Sequence, residues 1–115
     1  MSVQRFLFII DDLPNARGES ADLSFGGVSA ESFAEVLQQA LREPTLWLRW
    51  KALQPDPDAA DPALAATDPQ ARVIAHQADV HVSVEVQSSL PHAVIQHRMT
   101  LLIGKHWELR SVSAL

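Results

Sequence analysis

Valine alternates with polar residues over one short stretch in the second half of the chain. Val80, Val82, Val84 and Val86 occupy the even positions, while aspartate, histidine, serine, glutamate and glutamine occupy the odd ones. Successive side chains of a β-strand point to opposite faces of the sheet, so this pattern predicts a strand with one dry and one wet face. Other elements of the chain must then cover the valine face.

Two more strands are predicted after this one. Residues 93–103 alternate in polarity, and Trp107 and Leu109 alternate with charged residues near the C-terminus. A three-residue loop over 104–106 would pair Leu101 with Leu109 and keep apolar side chains on one face, because a slip by one residue turns every side chain over. The C-terminal half is therefore predicted to be a three-stranded antiparallel meander.

An N-terminal hairpin is predicted to complete the sheet. Residues 3–10 are rich in aromatic and aliphatic side chains at both parities, and residues 21–25 follow a turn-forming stretch. A strand that is apolar on both faces is usually covered on both. In a chain of 115 residues the second cover would come from another subunit, which predicts a homodimer and makes Phe6 and Phe8 candidate interaction residues.

The clearest helix begins after Ser29 and ends before Pro44. The Ser29 hydroxyl can accept a hydrogen bond from a free backbone N–H, and Pro44 cannot continue a helix. Between them the apolar residues follow the spacing of one buried stripe: Phe33, Val36, Leu37, Ala40 and Leu41. Residues 45–54 fit either a helix or a strand, and their leucine, lysine, alanine and glutamine favour a short helix.

The tryptophans divide into core and surface candidates. Trp50 and Trp107 are expected in the core, whereas Trp47 cannot easily share one strand face with Trp50. Exposed aromatic residues mark interaction surfaces, so Trp47 is a third candidate interaction residue.

These elements predict a single α+β domain over residues 1–115, with an antiparallel sheet and one main amphipathic helix packed on one face. Residues 55–70, rich in proline, aspartate and alanine, are expected to form a loop that is either functional or mobile. Asp56, Asp58 and Asp61 resemble the start of a calcium loop, but the glycine of its sharp turn and its final glutamate are missing.

Charge and composition exclude several classes of function. The 9 basic and 14 acidic residues give a net charge of −5, which disfavours binding to a nucleic-acid backbone. The absence of cysteine excludes disulfides and thiolate catalysis. The apolar run Phe6–Ile10 is too short for a signal peptide or a membrane span, so a cytoplasmic protein is expected. The excess of arginine over lysine and the abundant alanine indicate a bacterial source.

Two histidines are candidates for a ligand pocket. His97 falls on the apolar face of the predicted strand 93–103, where a buried imidazole must be neutral and either hydrogen-bonded or bound to a ligand. His81 shares the wet face of the valine strand with Asp79. A hydrogen-bonded core histidine would explain His97 equally well, and a solvent-exposed sheet face would explain His81 and Asp79. Both interpretations therefore stay open.

No catalytic or cofactor motif and no metal-ligand spacing is present, so neither a cofactor nor a metal is expected. The leading hypothesis is a non-catalytic interaction or accessory module that self-associates or binds another protein. The alternative is a small enzyme or ligand-binding domain that uses His97 or His81 with a nearby carboxylate.

Overall fold

A computed structural model describes residues 2–115 of the chain. The structure contains four strands and three α-helices: β1 Gln4–Asp11, α1 Ala30–Arg42, α2 Thr45–Ala52, β2 Arg72–Ala78, β3 His81–Ser88, α3 His92–Ile103 and β4 Glu108–Ala114. Three short 3-10 turns cover Leu13–Asn15, Pro57–Ala59 and Pro62–Ala65.

The four strands form one antiparallel sheet in the order β2-β3-β1-β4. This is the split βαβ topology, in which helices connect β1 to β2 and β3 lies between those two strands. The predicted α+β class with an antiparallel sheet is therefore confirmed. The smallest dimension of the molecule is 19 Å, enough for the sheet and one helical layer. One face of the sheet packs against the helices, and the other has no second layer among residues 2–115.

The valine alternation and the main helix follow the predictions except at two residues, since Val80 and Val36 are predicted to be buried and are exposed. Val82, Val84 and Val86 are buried against the helical layer, whereas Val80 lies in the two-residue turn before β3 and is 84% exposed. Helix α1 begins after Ser29, whose hydroxyl accepts a hydrogen bond from the Ser32 N–H at 3.1 Å. Residues 45–52 form helix α2, as their composition favours.

The strand prediction for residues 93–103 is wrong, because this segment is helix α3. Its buried residues are Val94, Ile95, Arg98, Met99, Leu102 and Ile103, a spacing that fits a helix. The segment 93–103 as a whole also approximates an alternating pattern, and burial of the helical face in the folded protein decides between the two. The pairing of Leu101 with Leu109 and the C-terminal meander therefore do not form; β2, which sequence reasoning did not assign, pairs with β3 instead.

The strand prediction for residues 21–25 is also wrong, so there is no N-terminal hairpin in the described chain. Leu23 and Phe25 are buried, but the segment is a turn, and the Phe25 N–H donates to the Leu102 carbonyl of α3 at 2.8 Å. Strand β1 pairs instead with β3 and with β4, where its register shifts between Leu7 and Phe8.

The loop over residues 55–70 is held to the helical layer by polar anchors. Arg98 of α3 is fully buried and donates hydrogen bonds to the carbonyls of Leu64 at 2.6 Å and Ala66 at 3.2 Å. Burial raises the pKa of the Asp68 carboxyl, but hydrogen bonds from Gln70, Ser88 and Ser89, together with the nearby charge of Arg42, outweigh it and hold that pKa below its ordinary value. The second half of the loop, residues 64–68, is therefore anchored to the helical layer and to the end of β3.

No helix within residues 2–115 combines the length and the apolar character that a membrane crossing requires.

Candidate functional site

His97 lies at the wall of a cavity in the helical layer. The cavity has a volume of about 500 Å³ and lies between α2, α3 and the segment around residue 20. Its lining consists of one carboxylate, several neutral polar groups and three leucines: Glu19, Ser20, Leu23, Trp50, Leu53, Gln54, His97, Thr100 and Leu101. This volume falls within the range of small-molecule sites.

The imidazole of His97 stands edge-on to the indole of Trp50. Their ring centroids are 4.5 Å apart and the rings are inclined by 80°. His97 Nδ1 is buried and has no hydrogen-bond partner in the described chain. Burial lowers the pKa of His97, and the positive charge of the adjacent Arg98 lowers it further, so the imidazole is neutral at pH 7.

The second pair of ligand candidates does not join this cavity. His81 begins β3 opposite Asp11, on the face of the sheet that carries no helices. Asp79 lies in the turn between β2 and β3 with a left-handed φ of 52°. Neither residue lines the His97 cavity, so the structure does not combine the three into one pocket.

The three predicted interaction residues lie inside the fold. Phe6 and Phe8 are fully buried on the helical side of β1, where Phe6 stacks on His92 and Phe8 meets Trp107 edge-on. Trp47 is buried in α2, whereas Trp50, which the sequence predicts to lie in the core, is only half-buried, so the prediction has the two tryptophans reversed. None of the three forms an exposed surface, because both parities of β1 are apolar and the larger aromatic rings occupy the face that the helices cover.

The outward residues of β1 are Arg5, Leu7, Ile9 and Asp11. Leu7 and Ile9 are half-buried, and the two charged residues at either end are exposed. Ile74 of β2 lies in the same row as Leu7, with the carboxylate of Glu85 between them. We name this side of the sheet the open face.

Charges of opposite sign occupy the two ends of the open face. Arg5 and Arg72 both lie in the row that contains Gln87. At the other end, Asp11 and Glu108 line a shallow cavity, where Lys105 offsets one of the two negative charges and leaves an excess of one. Arg5 contacts Glu85 at 3.4 Å, but exposed ion pairs of this kind hold their partners weakly.

Comparison of the chain with protein-family models, curated proteins and solved structures gives no match. Within residues 2–115, no group of three or more histidine, aspartate or glutamate side chains is placed to hold a metal ion. The candidate sites are therefore the His97 cavity and the open face.

The neutral state of His97 predicts a pH-dependent stability. Its lowered pKa means that the unfolded chain takes up a proton near pH 6.5 that the folded chain does not, so stability falls as the pH drops below that value. The free energy of unfolding should change by only a fraction of about 1.4 kcal/mol per pH unit, because solvent screens the exposed part of the ring. Urea unfolding at pH 7.0 and pH 5.5 measures the change in wild type and in His97→Gln.

We expect His97→Gln to lose less stability than wild type between the two pH values. His106→Gln, which removes an exposed histidine, is the matched control and should behave as wild type does. Identical pH dependence in all three proteins would contradict the assignment of a buried neutral imidazole.

Proposed function

We propose that this chain is a non-catalytic interaction module that forms a homodimer through the open face of its sheet. The observation that carries the proposal is the outward series of β1, in which Arg5, Leu7, Ile9 and Asp11 run from a positive end through an apolar centre to a negative end. When a second copy lies against this series in the reversed direction, each positive end meets a negative end and the two apolar centres meet each other.

A two-fold axis that lies in the interface, perpendicular to the strands and midway between Leu7 and Ile9, places two copies face to face with their strands reversed. Leu7 then faces the partner's Ile9, and Arg5 faces the partner's Asp11. Because the interface is isologous, each contact occurs twice. A two-fold axis along the strands would instead set the basic end of one copy on the basic end of the other, so the charges favour antiparallel packing of the two sheets.

The size of the open face suits a dissociable dimer. Four strands spaced about 4.8 Å apart, with about 8 residues at about 3.3 Å each, give a face of about 500 Å² per copy. Two such faces bury on the order of 1,000 Å², near the lower limit for a specific interface. We therefore expect a dissociation constant on the order of 1 μM.

A binding role is favoured over catalysis because His97 contacts no carboxylate that could orient it as a general base. We propose the cytoplasm as the location, a reducing compartment that suits a chain whose fold uses no disulfide.

Reversal of the charges on β1 tests the proposed dimer. Arg5→Asp or Asp11→Arg alone would set like charges against each other at both ends of the interface, and we expect each to weaken the dimer about tenfold. An equimolar mixture of the two variants should form a heterodimer with wild-type affinity, because opposite charges then face each other at both ends. Sedimentation velocity between 1 and 200 μM measures all four samples.

Asp58→Arg makes the same charge change in the exposed loop of the helical layer and should leave the dimer intact. Leu7→Gln should weaken the dimer, whereas Leu48→Gln, on exposed helix α2, should not. A wild-type monomer at 200 μM would overturn the proposal. A dimer that both single charge variants leave unchanged would overturn the antiparallel arrangement.

A further inference from the structure

We infer that the His97 cavity binds a small planar aromatic cation. The cavity lies in the helical layer, on the opposite side of the molecule from the open face, so this site stands independently of the proposed dimer. Three features of its wall indicate the chemical class of the ligand: an incompletely packed indole, a surplus of hydrogen-bond acceptors and one carboxylate.

The indole of Trp50 is not enclosed by the core. It lines both the His97 cavity and a second cavity of about 440 Å³ beside Pro55 and Leu64. A tryptophan face attracts flat aromatic groups through stacking and cations through its negative π-face. Trp50 therefore provides the surface on which a planar ligand would lie.

Hydrogen-bond acceptors predominate on the polar part of the wall. Gln54 uses its amide N–H₂ to donate to the Trp50 carbonyl at 3.1 Å, which leaves its side-chain oxygen free to accept. Ser20 and Thr100 contribute hydroxyl groups, and Glu19 contributes a carboxylate. These groups suit a ligand that carries several N–H donors.

The charge of the wall selects a cation. Glu19 is the only lining residue that is charged at pH 7, because His97 is neutral there. The whole chain carries a net charge of −5, which also disfavours an anion. The expected ligand therefore combines a planar ring, which can stack on Trp50, with a cationic N–H donor, which can pair with the Glu19 carboxylate.

Benzamidine, benzamide and benzoate form a matched set of probes, because they share one ring and differ in the charge of a planar substituent. The side-chain N–H signals of the three tryptophans report binding in ¹H–¹⁵N NMR spectra, and Trp50→Phe identifies the Trp50 signal. We expect benzamidine to shift this signal with a dissociation constant of about 1 mM, as befits so small a ligand. Benzamide should bind about fivefold more weakly, and benzoate at least twentyfold more weakly.

Two variants separate the contributions of charge and shape. Glu19→Gln should abolish the preference for benzamidine over benzamide, whereas Asp22→Asn, which removes an exposed charge outside the cavity, should preserve it. His97→Gln should weaken both probes. The inference is overturned if no probe at 20 mM shifts the Trp50 signal, or if benzoate binds as tightly as benzamidine.

Discussion

Replacement of Arg98 by alanine is expected to lower the free energy of unfolding by about 3–5 kcal/mol. Arg98 is fully buried, and its Nε, Nη1 and Nη2 donate to the carbonyls of Ala40, Leu64 and Ala66. Burial lowers the pKa of Arg98 to about 10, so the guanidinium remains charged at neutral pH. Truncation leaves a cavity and removes the donors for three carbonyls on two separate parts of the chain.

Chemical unfolding and limited proteolysis check this prediction. The variant should be cleaved faster within residues 55–70, because Arg98 fixes the Leu64 and Ala66 carbonyls of that loop. Arg98→Lys should also be strongly destabilised, since an ammonium cannot reach three divergent acceptors with the same geometry. Arg110→Ala, at an exposed arginine of β4, should change stability by less than about 0.5 kcal/mol. A loss below about 1 kcal/mol in Arg98→Ala would contradict this role.

Gly18→Ala is expected to destabilise the protein by about 2–3 kcal/mol. A Cβ atom at residue 18 would lie 2.3 Å from the Leu101 carbonyl oxygen and 3.2 Å from its carbon. Both atoms belong to the backbone of α3, which cannot give way without disturbing the helix. The chain must therefore separate the segment around residue 18 from α3 to accept the methyl group, and thermal or urea unfolding measures the loss.

Gly26→Ala provides the matched control for this substitution. A Cβ atom there would have no neighbour within 4 Å, so we expect no loss and a gain of up to about 0.5 kcal/mol from the reduced freedom of the unfolded chain. Equal changes in the free energy of unfolding for the two substitutions would show that the close approach of residue 18 to Leu101 does not contribute to stability.

The sequence predicts a secondary-structure element best where the spacing of its apolar residues fits a helix or a strand but not both. The valines of β3 fit only a strand, and the stripe of α1 between Ser29 and Pro44 fits only a helix. Residues 93–103 satisfy both patterns, and their helical form is decided by burial of faces that exist only in the folded protein. Strand β2 escaped prediction because it is an edge strand whose alternation in polarity is weak.

The candidate sites show the same limit. The sequence predicts His97 on an apolar strand face, but this residue reaches its cavity from helix α3. Its neighbours Trp50 and Glu19 lie far from it along the chain, so only the tertiary fold combines them. The apolar character of both sides of β1 was visible in the sequence, but which side would be covered was not.

The position of β1 between β3 and β4 also determines when this protein can fold during its synthesis. Gln4 pairs with Ser88 on one side and with Ala114 on the other, so neither partner has been translated when the first strand leaves the ribosome. Pairings between such distant segments form slowly, and the apolar Phe6–Ile10 run stays accessible to chaperones and to other nascent chains in the meantime. The four-stranded sheet can therefore be completed only after β4 has been synthesised.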